Sequence, residues 1–335
     1  MPDVTLRIQQ EASPIVAGMG TTILAAALQA GLPFRHSCQS GNCASCKCEL
    51  ISGDVMELPY SEFALSPEER ADGHILACRT TMWGDTEIAY LRDIMAHPMR
   101  DLICRVVSKE RVTHDVAVVR MEIVDGGPYT FEAGQFATLT FANGLTRDFS
   151  MANRPGEEVL EFHIRKIPGG GVSPYVYDSL EVGANVEARG PLGSAWWRPS
   201  HDGPIVAIAG STGLAPMQSI AETALTLGAS ENPFYLYFGV REQRDLYHTD
   251  RFDALAGEHA CFCFSPVLSE VTSHERHRTG FVTDAVRNDH KSLKGAKLYL
   301  AGPPPMIEAA VTLAQELGAD RRNCHADVFF TPEAP

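Results

Sequence analysis

Cys38, Cys43 and Cys46 stand in the run Cys-Gln-Ser-Gly-Asn-Cys-Ala-Ser-Cys, and a fourth cysteine, Cys78, ends Ile-Leu-Ala-Cys. Three thiolates spaced C-x4-C-x2-C with a distant fourth form the ligand pattern of a [2Fe-2S] cluster, a one-electron centre. Two irons with bridging sulfides need four soft thiolates and hydrogen-bond donors around the sulfur atoms. A short, tightly wrapped loop offers those donors from its backbone N–H groups. Gly41 stands where the loop folds back, because glycine reaches backbone angles that side chains forbid. Ala44 and Ser45 are small enough to let the backbone approach the cluster. The bland alternatives are a structural zinc site and a disulfide framework. Zinc sites pair C-x2-C with a second such pair or with two histidines, a spacing absent here. Cys48 competes with Cys78 for the fourth place, but it falls in the expected strand Lys47–Ile51, where a lone cysteine is ordinarily a small apolar side chain.

Two later stretches could handle a phosphate and a flat ring. Arg147-Asp-Phe149-Ser150 supplies a cation for a pyrophosphate, a ring to stack on an isoalloxazine, and a hydroxyl for the flavin N5 edge. Alone, that pattern is common on barrel strands. In His163-Ile-Arg165-Lys-Ile-Pro-Gly-Gly170-Gly171-Val-Ser173, strand alternation puts His163 and Arg165 on one face. The glycines then let N–H groups turn toward a phosphate, with Ser173 as a further donor. Read as structure only, the glycine run is a flexible turn. Gly210-Ser-Thr212-Gly213 follows an apolar strand and is not the dinucleotide fingerprint G-x-G-x-x-G; alone it is a strand-to-helix turn. After the next strand come Arg241, Glu242, Arg244 and Asp245. NADPH calls for cations at the 2'-phosphate and NADH for a carboxylate on the ribose, so this loop offers both signs.

Composition bounds the reading. A chain of 335 residues suggests two or three domains. Its 44% hydrophobic and 21% charged residues are those of an ordinary globular protein. A net charge of -14 argues against nucleic acid, which requires a basic face. The first 93 residues hold 6 Lys and Arg against 12 Asp and Glu. That balance fits an acidic electron carrier steered toward a basic docking patch, or simply an acidic solvated surface. No secretory signal follows Met1 and no apolar run approaches a membrane span, so a cytoplasmic protein with reduced or ligating cysteines is expected, without a membrane partner.

The elements that must position these residues follow from periodicity and turn signals. Strands are expected at Val4–Ile8 and Ile15–Ala17, with a helix at Ile23–Gln29 capped by Thr21 or Thr22. The metal loop follows, then strands including Glu87–Ala89, which makes residues 1–93 one α+β domain. Residues 94–100 read as a linker, with His97 a polar linker residue. Over 101–198, short strands at Leu102–Val107, Val116–Ile123, Phe136–Phe141, Leu160–Arg165 and Asn185–Ala188 suggest a small antiparallel β-barrel. Over 199–335, strands at Ile205–Ala209, Phe234–Phe238, Cys261–Phe264 and Leu298–Leu300 alternate with helices, the pattern of an α/β doubly wound parallel sheet. The last strand is expected over 324–330, its terminal Phe329 and Phe330 ordinarily core plugs.

Residues 1–93 resemble the plant-type ferredoxins, a β-grasp family, in cysteine spacing, Gly-containing loop and Ile75-Leu-Ala-Cys78. Arg147-x-Phe149-Ser150, the His-x-Arg strand and the Pro-Gly-Gly loop ending in Ser173 resemble the FAD domain of the ferredoxin-NADP reductase superfamily. Tyrosine is common there in place of Phe149, so the ring is kept and its hydroxyl lost. Gly210-x-Thr212-Gly213-x-Ala-Pro and Gly302-Pro303-Pro-x-Met306 are similar to the nicotinamide-nucleotide signatures of that superfamily, in which a cysteine often stands where Ala301 is. The module order, with His325-Ala-Asp-Val-Phe329, is similar to reductase components of bacterial multicomponent aromatic-ring (Rieske) oxygenases of the naphthalene dioxygenase type.

The resemblance implies that NADH passes a hydride to FAD and that a [2Fe-2S] cluster carries single electrons to a Rieske ferredoxin or terminal oxygenase. Arg147, Phe149, Ser150, His163, Arg165, Gly170, Gly171 and Ser173 would hold FAD, with FMN the lesser option. Gly210, Thr212, Gly213, Gly302 and Pro303 would shape the NADH site, with NADPH possible, and Phe329 or Phe330 would pack near the flavin. Cys38, Cys43, Cys46 and Cys78 would ligate the metal. No side chain need act as a catalytic nucleophile or general acid, since the cofactors carry the redox chemistry. The rivals are the reductase of a soluble diiron monooxygenase, a deoxysugar dehydration reductase, and an iron-sulfur redox sensor with relic flavin and nucleotide sites. The oligomeric state stays open, with a monomer favoured.

Overall fold

Burial alternates along the first strand, β1 (Asp3–Ile8), with Val4, Leu6 and Ile8 inward, the period-two signature of a strand buried on one face. The computed structural model describes residues 2–91, 97–227, 232–270 and 277–330; positions 94–96 of the expected linker lie outside them. The chain forms two compact units, residues 1–99 with 192–194, and residues 100–191 with 195–335.

In the first unit β1 is followed by β2 (Ile15–Gly18), α1 (Ile23–Gln29), β3 (Lys47–Ser52), β4 (Val55–Glu57), α2 (Pro67–Ala71), β5 (His74–Leu76), β6 (Thr80–Met82) and β7 (Thr86–Tyr90). Five strands form a sheet in the order β2-β1-β7-β3-β5, and β4 pairs with β6. β1 and β7 run parallel, while β1 with β2, β3 with β5 and β3 with β7 pair antiparallel. Thr22 caps α1, its hydroxyl accepting from Ala25 N at 3.2 Å. Ile23, Leu24, Ala26 and Ala27 of that helix join the core beneath the sheet.

The second unit opens with β8 (Arg100–Arg111), β9 (Val116–Asp125), β10 (Phe136–Phe141), β11 (Thr146–Ser150), β12 (Val159–Arg165), α3 (Val172–Asp178) and β13 (Asn185–Leu192). Their sheet has the order β11-β10-β13-β8-β9-β12, and a bridge from Met151 to Phe162 joins its two ends. Inward residues such as Val119, Met121, Leu139, Phe162 and Ile164 fill one core.

There follow β14 (Ile205–Gly210), α4 (Leu214–Thr226), β15 (Phe234–Val240), α5 (Thr249–Glu258), β16 (Phe262–Leu268), β17 (Arg278–Thr279), α6 (Val282–Asp289), β18 (Lys297–Gly302), α7 (Pro304–Glu316) and β19 (Cys324–Val328). All pairs in this sheet are parallel, in the order β17-β16-β15-β14-β18-β19. Strand order therefore reverses between β14 and β18, where a parallel sheet opens a ligand crevice at its carboxyl end. β14 is buried throughout, which explains its unbroken apolar run.

Two expectations about elements are corrected. Val172 and Ser173, read as the end of a glycine turn, begin a helix over residues 172–178. Its Val, Tyr and Pro residues are weak helix formers, and burial of Val176 and Tyr177 against the barrel outweighs that preference. The last strand stops at Val328, so Phe329 and Phe330 lie beyond it.

Phe162 is wholly buried where the sheet closes on itself. Phe162→Ala should cost about 3–5 kcal/mol of stability, read as an earlier urea midpoint; an unchanged midpoint would contradict the closed core.

Candidate functional site

The loop from Cys38 to Cys46 is held by unusual backbone angles. Gly41 has φ +80°, and a Cβ there would lie 2.7 Å from Tyr60 Cβ and 2.8 Å from Arg79 Cγ. Gln39 and Ala44 also adopt positive φ, 52° and 58°, which costs each about 1–2 kcal/mol. The compensation is donors directed at sulfur. Ser40 N and Asn42 N point at Cys38 Sγ at 3.5 and 3.4 Å. The thiols associate as two pairs, Cys38 with Cys43 and Cys46 with Cys78. A hydrogen bond from the Cys43 thiol holds Cys38 low and drives Cys43 up; the Cys46 thiol likewise lowers Cys78 while its own pKa rises.

This pairing discriminates between metals. Four sulfurs around one zinc at 2.3 Å would lie about 3.8 Å from one another. Among the described residues, no three cysteine sulfurs come within 4.8 Å of each other. Two pairs suit two irons, each taking two thiolates, so the donor set fits a [2Fe-2S] cluster. All nine cysteines are free thiols, which removes the disulfide framework. Cys48 is fully buried in β3, its thiol pushed up by that burial, and Cys78 rather than Cys48 partners Cys46.

At the barrel, Arg147 and Phe149 share one face of β11 and Ser150 takes the other. Phe149 packs partly buried on the barrel core. The Arg147 guanidinium is exposed and donates to the Phe330 carbonyl at 2.6 Å, which leaves further N–H groups for an anion. Ser173 accepts from Ile167 N at 3.0 Å and closes the loop that contains Gly170 and Gly171. The first turn of α3 has no side-chain cap.

At the crevice, three glycines allow backbone to meet backbone. A Cβ on Gly213 would lie 2.1 Å from Ala301 O, and one on Gly302, whose φ is +150°, would lie 3.2 Å from Gly210 Cα. Thr212 is half-buried in the turn between β14 and α4, and exposed Pro303 precedes α7. β19 then brings Asp327 level with Ala301, and Phe329 N donates to Gly302 O at 2.9 Å. Phe329 packs on the core of the sheet.

Asp327 joins the two regions, its Oδ2 accepting from Ser150 Oγ at 2.7 Å. Sequence reasoning gave it no role, although a carboxylate at the carboxyl end of a parallel strand is a signal for one. Burial pushes its carboxyl up to about 6, the Ser150 hydroxyl opposing and Asp148 reinforcing the rise. The residue as a whole is half-buried.

The structure does not bring His163 to the phosphate loop. It is buried, with Nδ1 3.1 Å from the Tyr247 hydroxyl and Nε2 3.1 Å from Glu161 Oε1, so neither nitrogen is left for a cofactor. Alternation was read correctly, but that face of β12 is covered by protein. Arg165 pairs with Asp115 at 2.7 Å. In the loop after β15, Arg244 bonds Glu242 at 2.9 Å and Arg241 lies 4.0 Å from Asp245.

Three family descriptions match in chain order: a 2Fe-2S iron-sulfur cluster binding domain over residues 6–82, an oxidoreductase FAD-binding domain over 103–197, and an oxidoreductase NAD-binding domain over 207–312. The chain is 36% identical to the ferredoxin–NAD(P)+ reductase component of the naphthalene 1,2-dioxygenase system of Pseudomonas putida, over 97% of this chain and 98% of that one. It is 39% identical to the reductase subunit of an aromatic O-demethylase from an Amycolatopsis strain, over 92% and 94% of the two chains. A crystal structure of an Amycolatopsis cytochrome P450 reductase matches with a TM-score of 0.77 at 37% identity, covering 97% of this chain and 98% of that one.

A carboxyl whose native pKa is raised contributes stability in full below the ordinary carboxylate range and loses it as pH rises through about 6. Asp327→Asn keeps an acceptor for Ser150 and cannot ionise. It should gain on the native chain between pH 4.5 and 7.5, by at most ~3 kcal/mol. Thermal melts at both pH values test this, and an equal gap at both would refute it.

Proposed function

The chain belongs to the family of ferredoxin–NAD(P)+ reductase components of oxygenase systems, and from that premise we propose how its residues serve the reaction and which acceptor it feeds. The protein is an NADH-dependent oxidoreductase built of a [2Fe-2S] ferredoxin domain, an FAD-binding domain and an NAD-binding domain, in that order. Bound there, FAD would supply a hydride acceptor for NADH, and a [2Fe-2S] cluster would supply one-electron transfer to an oxygenase system.

Cys38, Cys43, Cys46 and Cys78 hold the cluster, a reading supported by their two-by-two association. Arg147 with the Gly170–Ser173 loop neutralises the flavin pyrophosphate, Phe149 backs the ring, and the Ser150 hydroxyl, oriented by Asp327, lies at the flavin edge. Gly210, Thr212, Gly213, Gly302 and Pro303 would line the nicotinamide crevice, and Phe329 or Phe330 would pack near the flavin. We read the chain as domains over 1–93, 101–198 and 199–335, with 94–100 joining the first two. The observed sheet orders support reading these domains as a β-grasp, an antiparallel barrel and a doubly wound parallel sheet. Among the described residues no helix is long and apolar enough to cross a membrane, and cysteines joined in no disulfide suit a reducing cytoplasm.

The acceptor we infer is a Rieske ferredoxin or an aromatic-ring-hydroxylating oxygenase. The observation that carries it is the 36% identity with the naphthalene dioxygenase reductase component across nearly the whole of both chains. Reconstitution with a Rieske dioxygenase set and, separately, with a diiron hydroxylase decides it; turnover with the diiron partner alone would reject the Rieske assignment.

Cys78→Ser should abolish NADH-driven reduction of cytochrome c while NADH–ferricyanide turnover, fed by the flavin directly, persists. Loss of both activities, with flavin still bound, would count against this routing. The loop after β15 carries two cations and two carboxylates, so it offers no net positive field to a 2'-phosphate. kcat/KM with ferricyanide should favour NADH over NADPH by at least about tenfold, and Glu242→Gln, which frees Arg244, should narrow the gap. Equal use of both nucleotides by the native chain would refute the ribose argument.

A further inference from the structure

A buried polar cluster lies between the flavin half and the nucleotide half of the second unit, and the reaction makes no direct use of it. Glu161 and His163 stand two apart on β12 and face the same way, 6% and 4% exposed. Glu161 accepts from Arg120 Nε at 2.6 Å, from Gln218 Nε2 at 2.9 Å and meets His163 Nε2 at 3.1 Å. Gln218, fully buried on α4, also donates to Ala152 O at 3.2 Å, and its carbonyl end meets His248 Nδ1 at 3.2 Å. The rings of His163, Tyr247 and His248 meet edge to face with centroids 5.1–5.3 Å apart. His248 adopts φ 55°, a left-handed conformation that a residue with a Cβ keeps only when its surroundings impose it.

Glu161, His163 and His248 present three ligand atoms within 4.8 Å of one another, as a cation site would. The chain fills that place itself. Arg120 already neutralises the carboxylate, and the Gln218 amide points at the same oxygen as His163. What remains is a buried charge with donors drawn from both halves: Arg120 and His163 from the barrel, Gln218 from the sheet. A buried carboxylate is tolerated only while its donors stay in place, so separating the halves leaves it uncompensated.

The elements it joins carry the two ring systems. α4 begins directly after the Gly210–Gly213 turn, and β12 is bridged through Phe162 to Met151, the residue next to Ser150. We propose that the Glu161–His163–Gln218–His248 cluster is a positioning device for hydride transfer, holding the nicotinamide turn at one setting against the flavin strand. This rests on the NADH-to-FAD reading above. It assigns Gln218 and His248 to alignment rather than to contact with either cofactor.

The test is stopped-flow bleaching of flavin by NADH, and by NADH deuterated at C4, in the full-length holoprotein. Gln218→Leu should lower the limiting rate of flavin reduction by about tenfold or more, since small misalignments are costly in hydride transfer. It should raise the deuterium isotope effect and leave the half-saturating NADH concentration and the flavin content near native. Adding Glu161→Gln, which removes the charge that needed the donor, should recover most of the rate. Should Gln218→Leu not yield folded holoprotein, half-buried His248→Phe gives the same comparison. A native limiting rate in the folded variant, or a loss confined to NADH affinity, would overturn the proposal. A native chain that NADH does not bleach would instead overturn the reading on which the proposal stands.

Discussion

The hydrogen bond from Ser150 to Asp327 joins residues 177 positions apart and ties the barrel to the parallel sheet. Ser150 ends β11 of the flavin half; Asp327 lies on β19, level with Ala301. Arg147 makes the parallel tie to the Phe330 carbonyl. Hydride transfer tolerates little misplacement of donor and acceptor, so the enzyme must hold two separately built sheets in one register. The strands are suited to this because ladder bonds to a neighbour, β10 for β11 and β18 for β19, fix their backbones. The close approach of Gly213 to β18 continues the same logic, since a Cβ there would lie 2.1 Å from the Ala301 carbonyl oxygen.

The cluster loop solves a different problem by local means. Three of its four proposed ligands lie within nine residues, and the fourth arrives on the segment between β5 and β6. The loop needs inward-pointing N–H groups more than relaxed backbone angles, and so Gln39 and Ala44 share with Gly41 the left-handed region. The sorting of thiols into two pairs follows from the loop's shape, and it is this sorting that suits two metal ions rather than one.

Neutral and ionised groups are distributed to match. In the flavin half, Glu161 and His163 are buried as a charge with its donors and stabilise one arrangement of the chain. Asp327, by contrast, has a single strong donor and is pushed toward neutrality, in keeping with a place beside cofactors rather than within the framework.

The cysteine spacing and the order of three modules were legible from residues alone, because each depends on short-range pattern. Apolar runs likewise revealed β14 and β18, since a strand buried on both faces leaves an unbroken signature. The role of His163 was not legible. Alternation along β12 told which residues share its side but not that α4 and Tyr247 cover that side. Asp327 escaped notice for the complementary reason, as its partner Ser150 belongs to another sheet. The helix at 172–178 was hidden by residues of weak helix preference that burial overrides. The amino-acid sequence by itself determined the cofactor chemistry this protein can support, since ligand types and turn residues are local properties. Only the tertiary structure decided which polar residues face a cofactor and which face each other, because that depends on contacts between elements far apart in the chain.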